Sequence, residues 1–166
     1  MNIQIDYHQV SALRASLATS PEVVREELRA MVTEIDLLIE REVKDAWPHA
    51  SGVSRESIHS TEVVSGLAVE GFVGSSLNYV EPVDLGTKPH FPPVSALEDW
   101  VKLRFPVKSE SEARGIAYLV ARKIAARGTK GVFVFQEKFA GLTPQIQARV
   151  RQAEERIAAR TLGGGA

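Results

Sequence analysis

From Val24 to Ile39 the apolar residues Val24, Leu28, Met31, Ile35, Leu38 and Ile39 recur at spacings of three and four. That is the period of one helix face. Ser20-Pro21-Glu22 reads as the start of this helix. The serine accepts from orphan N–H groups, proline suits the first helical position, and glutamate favours the positive end of the dipole. The run is expected to continue to about Asp45, with Glu40–Lys44 and Arg41–Asp45 as supporting i,i+4 pairs, and Pro48 and Gly52 end it. At about 1.5 Å per residue such a helix is nearly 40 Å long, enough to cross a whole domain of this size. A single apolar stripe of that length needs a partner layer along all of it, so the rest of the chain is expected to supply one.

Ahead of this helix, a short amphipathic stretch from Asp6 to Ala18 places Val10, Leu13 and Leu17 at helical spacing. After it the period changes to two. Ile58, Ser60, Glu62 and Val64 alternate with His59, Thr61 and Val63, and Ala68 to Gly74 reads as a second strand beyond a Gly66-Leu67 turn. Together they predict an antiparallel β-hairpin. Leu77 to Leu85 reads as a helical turn running into Gly86. Lys88-Pro89-His90-Phe91-Pro92-Pro93 reads as an extended loop, since each proline pushes its predecessor out of the helical region. Three more helices are expected. The first spans Ser95 to Arg104. The second, Ser111 to Arg127, has Ile116, Leu119, Val120 and Ile124 inward and Gly128 as a left-handed cap. The third covers 136 to 161, interrupted or restarted at Thr143-Pro144, with Ile146, Val150, Ala153 and Ile157 inward. Gly163-Gly164-Gly165-Ala166 reads as a flexible tail. The sum is an α+β fold. A long N-terminal amphipathic helix packs on a small antiparallel β-hairpin, the C-terminal half is helical, and residues 1–162 form one domain.

Composition narrows the function classes. The 166 residues are 44% hydrophobic and 25% charged, the balance of a globular chain. There is no cysteine, which excludes disulfides and thiolate metal sites and agrees with assembly in a reducing cytoplasm. Met1 to Asp6 shows no basic segment followed by an apolar run, so no signal peptide is expected, and no apolar run is long enough for a membrane span. The net charge of −1 hides a polarity: residues 101–166 carry 13 Lys and Arg against 5 Asp and Glu, whereas residues 1–100 carry 7 against 16. Either the halves neutralise each other on folding, or they serve nucleic acid or complementary assembly faces.

Catalytic templates find little here. Gly66, Gly71 and Gly74 lie in a hairpin and not before a helix, so no phosphate loop or dinucleotide fingerprint fits. His8, His49, His59 and His90 fall in separate elements without zinc spacing. Asp84 and His90 flank a Gly-Thr-Lys-Pro loop, but no nucleophile accompanies them. No enzyme activity, cofactor or metal is expected. Tyr79 and Trp100 are expected to pack in the core with their polar atoms at its rim. Gly86 is expected to have positive φ. The Lys88–Phe91 loop either packs locally or presents a stiff phenylalanine anchor to a partner. Arg114, Arg122, Lys123, Arg127 and Lys130 cluster on and after one helix, and Arg149, Arg151, Arg156 and Arg160 decorate the last. These are either solvated faces or a rim that meets phosphate without reading bases. The triplet Gly-Thr-Lys occurs twice, at 86–88 and 128–130.

Several features fall in a recognisable order: Tyr79, Asp84, Gly86-Thr87, Pro89-His90-Phe91-Pro92-Pro93, Trp100, the basic alanine-rich Ala121 to Arg127, Gly128-Thr129-Lys130, and Phe133-Val134-Phe135. With the long helix and hairpin that precede it, this series covers roughly residues 20 to 140 and resembles the tail-completion or head-tail joining (neck) proteins of long-tailed bacteriophages, of the minor tail protein Z type. Two positions depart from the family pattern: aspartate stands at 84 where glutamate is commoner, and Val132-Phe133-Val134-Phe135 replaces a Pro-Phe-Phe close.

The resemblance implies a non-enzymatic structural protein of the virion neck, assembled in the host cytoplasm. It implies a ring, commonly a hexamer, between the head connector or stopper and the tail terminator or tube proteins, open to the passage of DNA. Asp84, Gly86, Thr87, Lys88, His90 and Phe91 would form its assembly loop. Arg122, Lys123, Arg127 and Lys130 would face DNA or a neighbouring subunit. The competing expectation is a small cytoplasmic module that holds nucleic acid without sequence preference.

Overall fold

The computed structural model describes residues 21–48 and 52–162. Ten elements follow in chain order: α1 (Pro21–Ala46), α2 (Val53–Glu56), β1 (Ile58–Ser65), β2 (Ala68–Ser75), α3 (Val80–Leu85), β3 (Gly86–Thr87), α4 (Val94–Arg104), α5 (Glu110–Arg127), β4 (Thr129–Lys130) and α6 (Val134–Leu162). The class is α+β, with a long first helix, a small antiparallel sheet and a helical C-terminal part. The Asp6–Ala18 stretch, Ser20, His8, His49 and the glycine tail lie outside the described residues. The chain divides into two compact units. One holds 21–45, 59–74 and 137–162, and the other holds 46–48, 52–58 and 75–136.

In the first unit all six residues of the expected α1 stripe are buried, joined by Val32 and Val43. From α6, Leu142, Ile146, Ala153 and Ile157 are buried as well. Ion pairs give the two helices their direction. Glu27, near the start of α1, bonds Arg156 and Arg160, while Glu42, near its end, lies 3.6 Å from Lys138. The helices therefore run antiparallel. The hairpin is tied along α1 by Arg25 Nε to the Gly66 carbonyl (3.1 Å), by the Arg29–Glu62 pair, and by Glu40, which accepts from both the amide and the hydroxyl of Ser60. The Glu40–Lys44 pair closes at 2.7 Å. Contrary to expectation, α6 is not interrupted at Pro144. Proline there removes the bond to the Ala140 carbonyl, but both residues are exposed, so water can satisfy that oxygen.

In the second unit Trp47 is buried, its Nε1 donating to Ser54 Oγ at 3.0 Å and its ring edge-on to Phe135 at 5.7 Å. Ser109 caps α5, accepting from the Glu112 amide, while Glu112 accepts from the Lys108 amide. Helices α4 and α5 meet over Val101, Ala113 and Ala117, with Val94, Leu97, Val107 and Ile116 around them. The fully buried stripe of α5 is Ala113, Ala117 and Ala121; of the expected residues, Ile116, Val120 and Ile124 are half-buried, with Ile116 packed beside this cluster, and Leu119 is exposed. Small side chains let the helix backbones approach closely, which turns Leu119 out to 62% exposure. Tyr79 and Trp100, expected in the core, are exposed, and Trp100 stands edge-on to Phe105 at 5.8 Å.

Candidate assembly site

The two Gly-Thr-Lys triplets find each other. β3 and β4 pair antiparallel in the register Gly86↔Lys130 and Thr87↔Thr129. The two threonine hydroxyls lie 3.0 Å apart, and the Thr129 amide donates to Thr87 Oγ1 at 3.2 Å. Gly86 has φ 79° and ψ 177°, and Gly128 has φ 68° and ψ −161°. Both lie in a region of backbone space that is essentially reserved for glycine. The positive φ expected at Gly86 is present. Gly128 shares it, but its extended ψ is not that of the left-handed cap expected there. Close approach adds a second requirement. A Cβ on Gly86 would sit 2.5 Å from the Thr129 carbonyl oxygen and 2.6 Å from the Gly131 amide, and one on Gly128 would overlap the Thr87 carbonyl.

Asp84 fastens the next segment to this clasp. Its carbonyl accepts from the Phe133 amide at 2.9 Å, and the Val83 carbonyl accepts from Val132 at 3.2 Å. Its carboxylate Oδ1 receives the Phe135 amide at 3.4 Å. Phe135 lies in the first turn of α6, so Asp84 caps a helix 50 residues away and meets the positive end of its dipole. The aspartate is buried, not displayed at the surface. Phe133, with φ 55°, is the positive-φ residue other than glycine among the described residues, and it stands where the chain turns into α6.

Lys88, His90 and Phe91 are exposed beyond the clasp. His90 Nδ1 donates to the Lys88 carbonyl at 2.9 Å, so the loop folds on itself, and Phe91 stands edge-on to Tyr118 at 6.2 Å. Phe91 nonetheless keeps 53% exposure. The phenylalanine ring is thus packed locally on one edge and half open on the other. The Asp84 carboxylate and the His90 ring each have these separate partners.

The cations divide into two kinds. Arg114 bonds Glu98 across α4 and α5 at 3.0 Å, and Arg156 and Arg160 are held by Glu27. Glu27 illustrates the balance. Burial alone pushes its carboxyl up, but hydrogen bonds from Arg156 and Arg160 pull it below its ordinary value. Arg122, Lys123, Arg127 and Lys130 are exposed and form no ion pair among the described residues. Among those residues no three His, Asp or Glu side chains come together as metal ligands, and no helix is long and apolar enough to cross a membrane.

The pairing of the triplets and the capping by Asp84 are long-range, and sequence periodicity does not carry them. The signal that was present is the repeat itself, an identical triplet on either side of two helices. No family model, curated protein or solved structure matches this chain.

Proposed function

We propose that this chain is a non-enzymatic structural subunit of a bacteriophage neck, a ring-forming tail-completion protein that joins the tail to the head connector and lets DNA pass. One observation carries the reading. The second unit, which holds the whole motif series from Tyr79 to Phe135, leaves Leu119, Leu103, Phe91 and Tyr118 between 48% and 62% exposed, with Trp100 and Phe105 also uncovered. Two pairs among these, Phe91 with Tyr118 and Trp100 with Phe105, are in ring contact, and exposed apolar clusters are where a neighbouring subunit would bury surface. Each such side chain gains about 1.5–3 kcal/mol on full burial. The clasp supports this reading because it fixes the loop bearing Phe91 before any partner arrives, which lowers the ordering cost of binding. A head-to-tail contact that closes on itself yields a ring, and a hexamer is the stoichiometry the family resemblance implies. Its neighbours would be the head connector or stopper on one side and tail terminator or tube proteins on the other. The virion neck is its place.

The test is the mass of the purified protein by size-exclusion chromatography with light scattering, beside mass spectrometry of purified particles. A ring mass, reduced to the 18.2 kDa monomer by Leu119→Ser with Leu103→Ser, is the expected result. A wild-type chain that stays monomeric, is absent from particles and binds duplex with a steep salt slope overturns the proposal in favour of the nucleic-acid module.

A further inference from the structure

We infer that Lys88, Arg122, Lys123, Arg127 and Lys130 together form a binding site for the phosphate backbone of duplex DNA. From Ala113 to Gln136 the chain holds no Asp or Glu, and the cations Arg122, Lys123, Arg127 and Lys130 within it are exposed without a carboxylate partner among the described residues. Lys88 joins them through the fold and not through sequence. In the clasp Lys130 faces Gly86, and Lys88 directly follows Thr87, the last residue of β3. That makes the two lysines diagonal neighbours, at a spacing of roughly 7–8 Å, over which long flexible side chains reach adjacent phosphates. The Gly128 backbone abuts Thr87 and Lys88, which brings Arg127, immediately before it, to the same end of the ribbon. Lys123 stands one turn behind Arg127 on α5.

Gly86 and Gly128 let the two backbone segments of the ribbon approach closely, which holds Lys88 and Lys130 near each other. The end of α5 works in the opposite direction, since a helix C-terminus carries about half a negative elementary charge. Five cations outweigh it. Contact of this kind positions a duplex without reading its sequence. Arg114 is excluded from the site, because its guanidinium is already bonded to Glu98. The choice of duplex DNA as the polyanion rests on the neck reading. The site itself rests on the placement of the charges.

The experiment is fluorescence anisotropy of a short labelled DNA duplex with the full chain across a salt series. Each neutralised phosphate contributes a slope of about −0.9 in log K against log salt, so five contacts give roughly −4 to −5 per site. The triple variant Lys88→Gln, Arg127→Gln, Lys130→Gln is expected to flatten the slope by about 2–3. Arg114→Gln is expected to leave it unchanged, and unlabelled duplexes of unrelated sequence are expected to compete equally. Circular dichroism checks that each variant is folded. An unaltered slope in the folded triple variant, no duplex binding at low salt, or tighter binding to an RNA duplex overturns the inference. Light scattering on the same samples reads the ring separately. A monomer that shows the charge-dependent slope sinks the ring and leaves this site standing, and a ring without it does the reverse.

Discussion

Asp36 sits on the inner side of α1 and is 4% exposed, its carboxyl filling the space where Gly71 of β2 has no side chain. A Cβ at position 71 would collide with it, so the glycine and the buried acid belong together. Burial raises the Asp36 pKa from 3.8 to about 6, and the negative charges of Glu62 and Glu40 push the same way. A folded-state pKa above the unfolded one favours the fold while the group is protonated. The contribution is full below pH 3.8 and is lost as pH rises through about 6, with a ceiling of roughly 3 kcal/mol. Asp36→Asn removes this dependence. Thermal melts from pH 4 to 7 are expected to show the wild type losing stability relative to the variant as pH rises, and parallel curves would show that Asp36 titrates normally. At the clasp, Gly86→Val is expected to cost at least 1–3 kcal/mol for the backbone conformation alone, with overlap against Thr129 and Gly131 added. Urea unfolding measures it. A variant as stable as the wild type would mean the clasp is not what fixes this loop.

At the scale of elements, α1 and α6 are joined by Glu27 with Arg156 and Arg160. The two arginines are more than a third exposed and the glutamate is almost buried. Solvent screening discounts the pairs, so Glu27→Ala is expected to lose about 1–2 kcal/mol in urea with an unchanged m value. A loss below a few tenths would show the pairs to be ornamental. Glu27 contributes above its unfolded pKa and less as pH falls, the opposite sign to Asp36. The long helix and the hairpin were legible in the sequence because their periods of 3.6 and 2 are local and strongly apolar. Helix α5 was misread for a physical reason. Its inward face is alanine, which carries little hydrophobic signal, whereas its larger Leu119 and Tyr118 face outward. Pro144 was read as a break because proline costs a helix about 3 kcal/mol, a cost that a helix anchored on both sides of it can bear. At the candidate site, the positive φ of Gly86 was readable from residue type. The partner of each Gly-Thr-Lys, and the capping of α6 by Asp84, depend on contacts across some 40 to 50 residues that no local pattern encodes.

At the scale of the whole molecule, the large apolar side chains left exposed among the described residues lie mostly in the second unit, and those of the first are Leu37, Val63 and Val64. The proposed ring subunit would use these exposed side chains of the second unit against its neighbours. The acid-free run from Ala113 to Gln136 lies in the same unit. Deleting the coding sequence for this chain from the genome that carries it, and counting phage particles by electron microscopy, tests the proposed neck assignment most directly. The account predicts filled heads and finished tails that accumulate apart and join when the wild-type chain is supplied. Normally joined, infectious particles in its absence would contradict it.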